Sequence, residues 1–184
     1  LKLLARMYEP QSGRILIDGT DIRDFPRAEL RRHMAFVLQD VFLFTGDLAY
    51  NVSLGRPEIT AAEIESAART VHLEEFGRRL PLGYAQPVHE RGQNFSVGER
   101  QLLSFARALA QKPEILLLDE ATSSVDTETE ALIQDALHTL LSGKTSIVVA
   151  HRLSTIQDVD RIYVLHHGEL RESGRHEDLL AQRG

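Results

Sequence analysis

The 184 residues contain no cysteine, so neither a disulfide framework nor a thiolate metal site is open to them, and the absence fits a reducing compartment, the cytosol. There is no excess of basic charge either. A total of 21 Lys and Arg against 27 Asp and Glu leaves a formal charge of -6 at pH 7. That balance argues against a general nucleic-acid binder, whose phosphate affinity comes from clustered cations. No apolar run approaches the roughly 20 residues that span a bilayer. The opening Leu1-Lys2-Leu3-Leu4-Ala5-Arg6 is too short and too charged for a signal peptide, so any membrane crossing must come from another domain. Internal repeats, low-complexity tracts and flexible linkers are also missing. What remains is ordinary for a globular domain with one substantial core: 42% hydrophobic and 26% charged residues.

Leu3, Leu4 and Met7 fall at helical spacing, which places the first residues inside a helix. Arg14 to Gly19 reads as a short strand ending in a turn, and Met34 to Leu38 as another, with a proline-initiated helix from Phe25-Pro26 to Arg32 between them. From residue 41 to 112 the character changes to helices and loops. Thr60-Ala61-Ala62-Glu63 has capping-box spacing, and Ile64, Ala67, Ala68 and Val71 form one stripe. A long helix is expected from Gly98 to Gln111, with Leu102, Phe105, Ala106 and Leu109 on one face. After Pro113 the expected strands are Glu114 to Leu118, Ser146 to Ala150 and Arg161 to Leu165, with a helix from Thr127 to Leu141 between the first two. Apolar strands separated by helices predict a mostly parallel sheet covered on both faces. The expected architecture is an α/β core of residues 1–40 and 113–184 with a helical subdomain inserted at 41–112. Near the end, Gly168 and Gly174 punctuate a polar strand or hairpin, and His176 to Gln182 reads as a last amphipathic helix.

Ile115-Leu116-Leu117-Leu118 delivers two adjacent carboxylates, Asp119 and Glu120, to the carboxyl end of a buried strand, the end at which open α/β sheets bind ligands. An isolated Asp-Glu pair is more often a solvated strand end. Ser96, before the helix in Asn94-Phe95-Ser96-Val97-Gly98-Glu99-Arg100-Gln101, reads first as an N-cap, although the same helix end presents N–H groups to an anion. His151, ending an apolar strand, would by itself be structural or solvated. No other histidine has metal-ligand spacing.

Together these three pieces resemble the ATP-binding cassette ATPases, and Arg107-Ala108-Leu109 and Pro113 follow at that family's spacing. The resemblance covers nearly the whole chain and implies a P-loop NTPase-like fold. It also implies a phosphate loop, Gly-x-x-x-x-Gly-Lys-Ser/Thr, which the 184 residues do not contain. The chain is therefore expected to be a cassette without its N-terminal strands and phosphate loop, one that alone binds ATP poorly.

The resemblance further implies ATP and Mg²⁺ as ligands, with Asp119 and Gln39 reaching the metal partly through water, Glu120 as base for the attacking water, and His151 at the γ-phosphate. Ser96, Val97, Gly98 and Glu99 match the signature that binds ATP held by a second nucleotide-binding domain. Val97 and Glu99 depart from its usual Leu-Ser-Gly-Gly-Gln form, and beside an intact Glu120 they favour a heterodimer over a homodimer. Asp126, in Ser123-Ser124-Val125-Asp126, resembles the loop that couples the two sites, and it also reads as an N-cap.

The run Gln39-Asp40-Val41-Phe42-Leu43-Phe44-Thr45-Gly46 is similar to that of exporters whose membrane and ATPase parts share a polypeptide. There Phe42 and Phe44 would receive a membrane-domain helix, or else fill the subdomain core. Glu90 and Arg91 match a loop that contacts the membrane domain, or a charged turn. The implied function is the nucleotide-binding domain of an exporter at the cytoplasmic face of the membrane. A soluble cassette ATPase acting on DNA or ribosomes, or a non-catalytic interaction fragment, would be the alternatives. The acidic chain and the short insertion, with no coiled-coil arm or zinc module, speak against nucleic acid.

Overall fold

Residues 1–7 make one helical turn that closes in a Schellman motif: Met7 N–H donates to Lys2 O at 2.9 Å and Arg6 N–H to Leu3 O at 3.0 Å, with Arg6 left-handed at φ 48°. The helical spacing of Leu3, Leu4 and Met7 thus yields a single turn, ended by Arg6. The computed structural model describes residues 1–74, 80–119, 127–150 and 153–181.

Asp18 and Gly19 both have positive φ, 49° and 82°, as a type I′ turn requires. They fold Leu16–Ile17 (β1) antiparallel onto Thr20–Asp21 (β2). Arg27–Arg32 (α1) starts after Pro26, and Met34–Val37 (β3) follows. The middle of the chain forms Gly46–Asp47 (β4), Leu48–Ser53 (α2), Ala61–Thr70 (α3), Pro87–Val88 (β5) and Val97–Ala110 (α4). Next come Ile115–Asp119 (β6), Thr127–Leu141 (α5), Thr145–Val149 (β7) and Leu153–Ile156 (α6). The last elements are Ile162–His166 (β8), Glu169–Gly174 (β9) and His176–Ala181 (α7).

Strands β3, β6 and β7 form one sheet in that order, and β3 runs parallel to β6 with Met34 opposite Ile115 and Val37 opposite Leu118. Period-two alternation divides their side chains between two cores. Ala35, Val37, Leu116 and Leu118 join the larger one, while Met34 and Leu117 meet Ile22 and Leu30 on the other face. A central strand covered on both faces has to be apolar throughout, which is why Ile115 to Leu118 carries no polar alternation. The α/β class with parallel strands and intervening helices is borne out.

Helix α4 packs against α2, α3, α5 and β3. Leu102, Leu103, Phe105, Ala106 and Ala108 are therefore all buried, whereas Leu109 is only half-buried. The single stripe expected from the sequence is too narrow because the helix has neighbours on several sides. Thr60 closes the expected capping box with Glu63.

The chain divides into two compact units, Leu1–Val148 and Val149–Gly184. In the second, His167 and Gly168, both with positive φ (50° and 79°), turn β8 back onto β9 in an antiparallel hairpin. The strand expected at Arg161 to Leu165 is present as β8 and hydrogen-bonds to β9 across this two-residue turn. Among the described residues no helix is long and apolar enough to cross a membrane.

Candidate functional site

Because β3 and β6 run parallel and in register to Val37 and Leu118, their carboxyl ends emerge together. Asp119 closes β6, partly buried, and Gln39 lies two residues beyond β3, exposed. These two groups thus leave the same edge of the sheet, the edge at which α/β folds bind ligands. Their oxygens are hard donors of the kind Mg²⁺ takes together with phosphate and water, so the residues present fit that ion. Glu120, Asp126 and His151 lie outside the described residues.

The second part of the site is the start of α4. Ser96 is its N-cap, and its hydroxyl accepts the Glu99 N–H at 3.2 Å while the Glu99 carboxylate accepts the Ser96 N–H at 2.6 Å, a complete capping box. The Ser96 hydroxyl still has its own proton to donate, so capping and anion binding are compatible. Gly98 is buried in the first turn, and Val97 is 43% exposed. The helix start is fixed from behind by Arg100, whose Nη1 donates to Phe95 O at 2.7 Å and Gly92 O at 3.4 Å. Asn94 ties the approach, accepting the His89 N–H at 3.1 Å and donating to Pro87 O at 3.0 Å.

Glu90 and Arg91 sit in an exposed 3-10 turn just upstream, with Arg91 at φ 55°. Gly92 follows at φ 69°, where an added Cβ would lie 2.6 Å from Leu43 Cδ1. Both its conformation and its space demand glycine.

Phe42 and Phe44 are 53% and 43% exposed, so neither fills the subdomain core. Their rings meet edge to face with centroids 5.0 Å apart. The sequence did not flag what holds them. Asn51, fully buried in α2, donates through Nδ2 to Phe44 O at 2.8 Å and Asp47 O at 3.0 Å, and its Oδ1 accepts the Phe44 N–H at 2.8 Å. Arg107 reaches over from α4, with Nε to Asn51 O at 2.8 Å, Nη1 to Phe42 O at 3.1 Å and Nη2 to Asn51 Oδ1 at 3.3 Å. Its guanidinium also stands 5.9 Å from the Phe44 ring centroid. Burial pulls Arg107 below its ordinary value. The only hint in the sequence was a polar Asn set in the otherwise apolar Leu48 to Val52 turn.

A family model described as ABC transporter matches residues 1–123. The chain is 53% identical over its full length to the probable multidrug resistance ABC transporter ATP-binding/permease protein YheH of Bacillus subtilis (strain 168), of which it covers 27%. It is 51% identical, again over its full length, to a fatty acid ABC transporter ATP-binding/permease protein of Mycobacterium bovis, covering 29% of it. An ATP-dependent lipid A-core flippase of Chromobacterium violaceum shares 47% over 99% of the chain and 30% of the flippase. Among solved structures, that of a bacterial Atm1-family ABC exporter with ATP bound superposes with a TM-score of 0.90 at 45% identity, over 100% of this chain and 32% of the exporter chain. The chain thus spans under a third of these relatives' length.

Proposed function

The chain belongs to the ABC transporter family, and from that premise we propose that it forms most of the nucleotide-binding domain of an exporter whose permease part shares the same polypeptide. The observation that carries this reading is the common exit of Gln39 and Asp119 from the β3–β6 edge, with Glu120 the next residue in sequence. There Asp119 and Gln39 would hold Mg²⁺, which supplies charge neutralisation at the phosphates of ATP. Glu120 would orient a water and accept its proton as the water oxygen bonds to the γ-phosphorus, with the β–γ bridging oxygen leaving on ADP. His151 would donate a hydrogen bond to the γ-phosphate.

Ser96, Val97 and Gly98 would bind the γ-phosphate of ATP held by a second nucleotide-binding domain, through the Ser96 hydroxyl and the free end of α4. Glu99 places a carboxylate in that turn, which favours a non-identical partner domain. Asp126 would couple the two sites across the interface. Phe42, Phe44, Glu90 and Arg91 would face the membrane domain, which puts this domain at the cytoplasmic side of the membrane. Closure of the paired domains on ATP then drives the permease, and hydrolysis resets it.

Hydrolysis by the full-length protein in lipid nanodiscs tests the reading. Glu120→Gln should abolish turnover while Mg-ATP still binds; undiminished turnover would remove Glu120 from the reaction.

A further inference from the structure

The Phe42–Phe44 pair is an exposed aromatic platform that, left to itself, should not keep one geometry. It sits in a segment without helix or strand, between β3 and β4. Yet its backbone is pinned at three points by side chains from two helices: Phe44 N–H and O by Asn51, and Phe42 O by Arg107. Arg107 and Asn51 also bond each other twice, through Asn51 O and Oδ1. The two are 56 residues apart in sequence, so the contact is purely tertiary.

We propose that Arg107 and Asn51 are positioning residues for the membrane-domain docking surface: together they hold the Phe42–Phe44 platform rigidly on the helix that begins at Ser96. The inference rests on the reading of Phe42 and Phe44 as that surface. Its content is the linkage. Arg107 lies in α4, whose first turn is the Ser96 capping box, and α4 is buried around most of its circumference. A helix so encased moves as one piece, and a displacement at Ser96 reaches Arg107 directly. Arg107 then carries it to Phe42 O and the Phe44 ring without passing through the β3–β6 edge. The geometry uses properties only arginine has. A planar fork serves three acceptors at once while its face stays open to the aromatic ring, and lysine offers a single compact charge in its place. The acceptors that Arg107 meets, Asn51 O, Phe42 O and Asn51 Oδ1, are neutral oxygens, so the pairing orients the platform and does not balance charge.

The test uses the full-length protein in nanodiscs, with Mg-ATP as the only added ligand. Phe44→Ala first checks the underlying reading: it should lower turnover with the KM for ATP unchanged, and unaffected turnover would sink both that reading and this proposal. Given that loss, Arg107→Lys should lower turnover by roughly tenfold with KM again unchanged. It should also speed amide hydrogen exchange in residues 41–47 while leaving 115–119 as protected as in the parent. The double variant Phe44→Ala with Arg107→Lys should be no slower than Phe44→Ala alone, since the clamp then has no platform to hold. Multiplying losses, a raised KM, or unaltered exchange in 41–47 would overturn the proposal. If Arg107→Lys does not accumulate, the isosteric Asn51→Asp removes the donors to Phe44 O and Asp47 O and must give the same pattern.

Discussion

Ser96 and Glu99 each satisfy the other's backbone: the serine hydroxyl takes the Glu99 N–H at 3.2 Å and the glutamate carboxylate takes the Ser96 N–H at 2.6 Å. The exchange holds the Glu99 charge at the start of the helix. Its carboxylate is held in the first turn of α4, within reach of any anion that approaches the Ser96 hydroxyl. Attraction to the helix end is worth about 0.3–1 kcal/mol. Repulsion of a phosphate charge about 8 Å away at an effective dielectric near 20 is about 2 kcal/mol per unit charge. Repulsion wins.

Glu99→Gln keeps an acceptor for the Ser96 N–H and removes the charge. In the full-length protein it should lower the KM for ATP severalfold, with the denaturation midpoint nearly unmoved. Ser96→Ala, by contrast, should cost about 1 kcal/mol of stability and raise KM as well. A KM unchanged in both variants would detach this turn from nucleotide binding.

Gly92→Ala should destabilise the domain by about 1–3 kcal/mol, because the new Cβ combines a left-handed backbone with a 2.6 Å approach to the fully buried Leu43. Urea unfolding read by circular dichroism measures it. Gly143→Ala is the control: it shares a positive φ of 69° but has nothing within 4 Å, so it carries the backbone strain without the clash. Equal losses in the two variants would show that Leu43 yields.

Local signals in the sequence were legible, and distant ones were not. The apolar run Ile115 to Leu118 marked the central strand because a strand buried on both faces has one composition. The turn at Asp18-Gly19 and the capping box at Thr60 were readable for the same reason, since their physics is complete within four residues. The register of β3 against β6 joins positions 81 residues apart, from Met34 to Ile115, and no local pattern encodes it. The same holds for Asn51 with Arg107. Phe42 and Phe44 admitted both an exposed and a buried reading, because an aromatic pair suits either; the Asn51 and Arg107 bonds to their backbone hold them at the surface. The strand at Ile162–His166 was legible from its apolar composition, and Gly168 marked the turn that pairs it with β9.

Two surface carboxylates give the domain an acid-sensitive contribution. The Lys112 ammonium at 2.5 Å, then the Thr60 N–H and hydroxyl, pull Glu63 from the ordinary 4.5 to about 2. Arg23, through its side chain and backbone N–H, pulls Asp21 from 3.8 to about 2. A carboxyl whose folded value is depressed adds stability above its unfolded value and loses it as pH falls through the folded one. The parent should therefore exceed a Glu63→Gln, Asp21→Asn double variant at neutral pH, and the gap should close between about pH 4.5 and pH 2. Because both pairs are exposed, added salt should shrink the gap. Urea midpoints across that range measure it, and a gap independent of pH would contradict the assignment.

Asp119 and Glu120 are adjacent but should fail differently. Asp119 ends β6 beside the exit of β3, where on the proposed reading its charge would serve a cation. Asp119→Asn keeps the size and removes the charge, so binding of Mg-ATP should weaken while binding of ATP in EDTA stays as in the parent. Glu120→Gln should leave both binding measurements largely intact and abolish turnover, because an amide cannot accept the proton of the attacking water. Nucleotide-bound pairs of domains should then accumulate, visible by size-exclusion of the full-length protein with excess Mg-ATP. Turnover above about a tenth of the parent corresponds to a barrier change below roughly 1.4 kcal/mol, too small for the loss of a principal base. In that case His151 becomes the group to replace next, and His151→Ala with Glu120→Gln would show whether the two share the task.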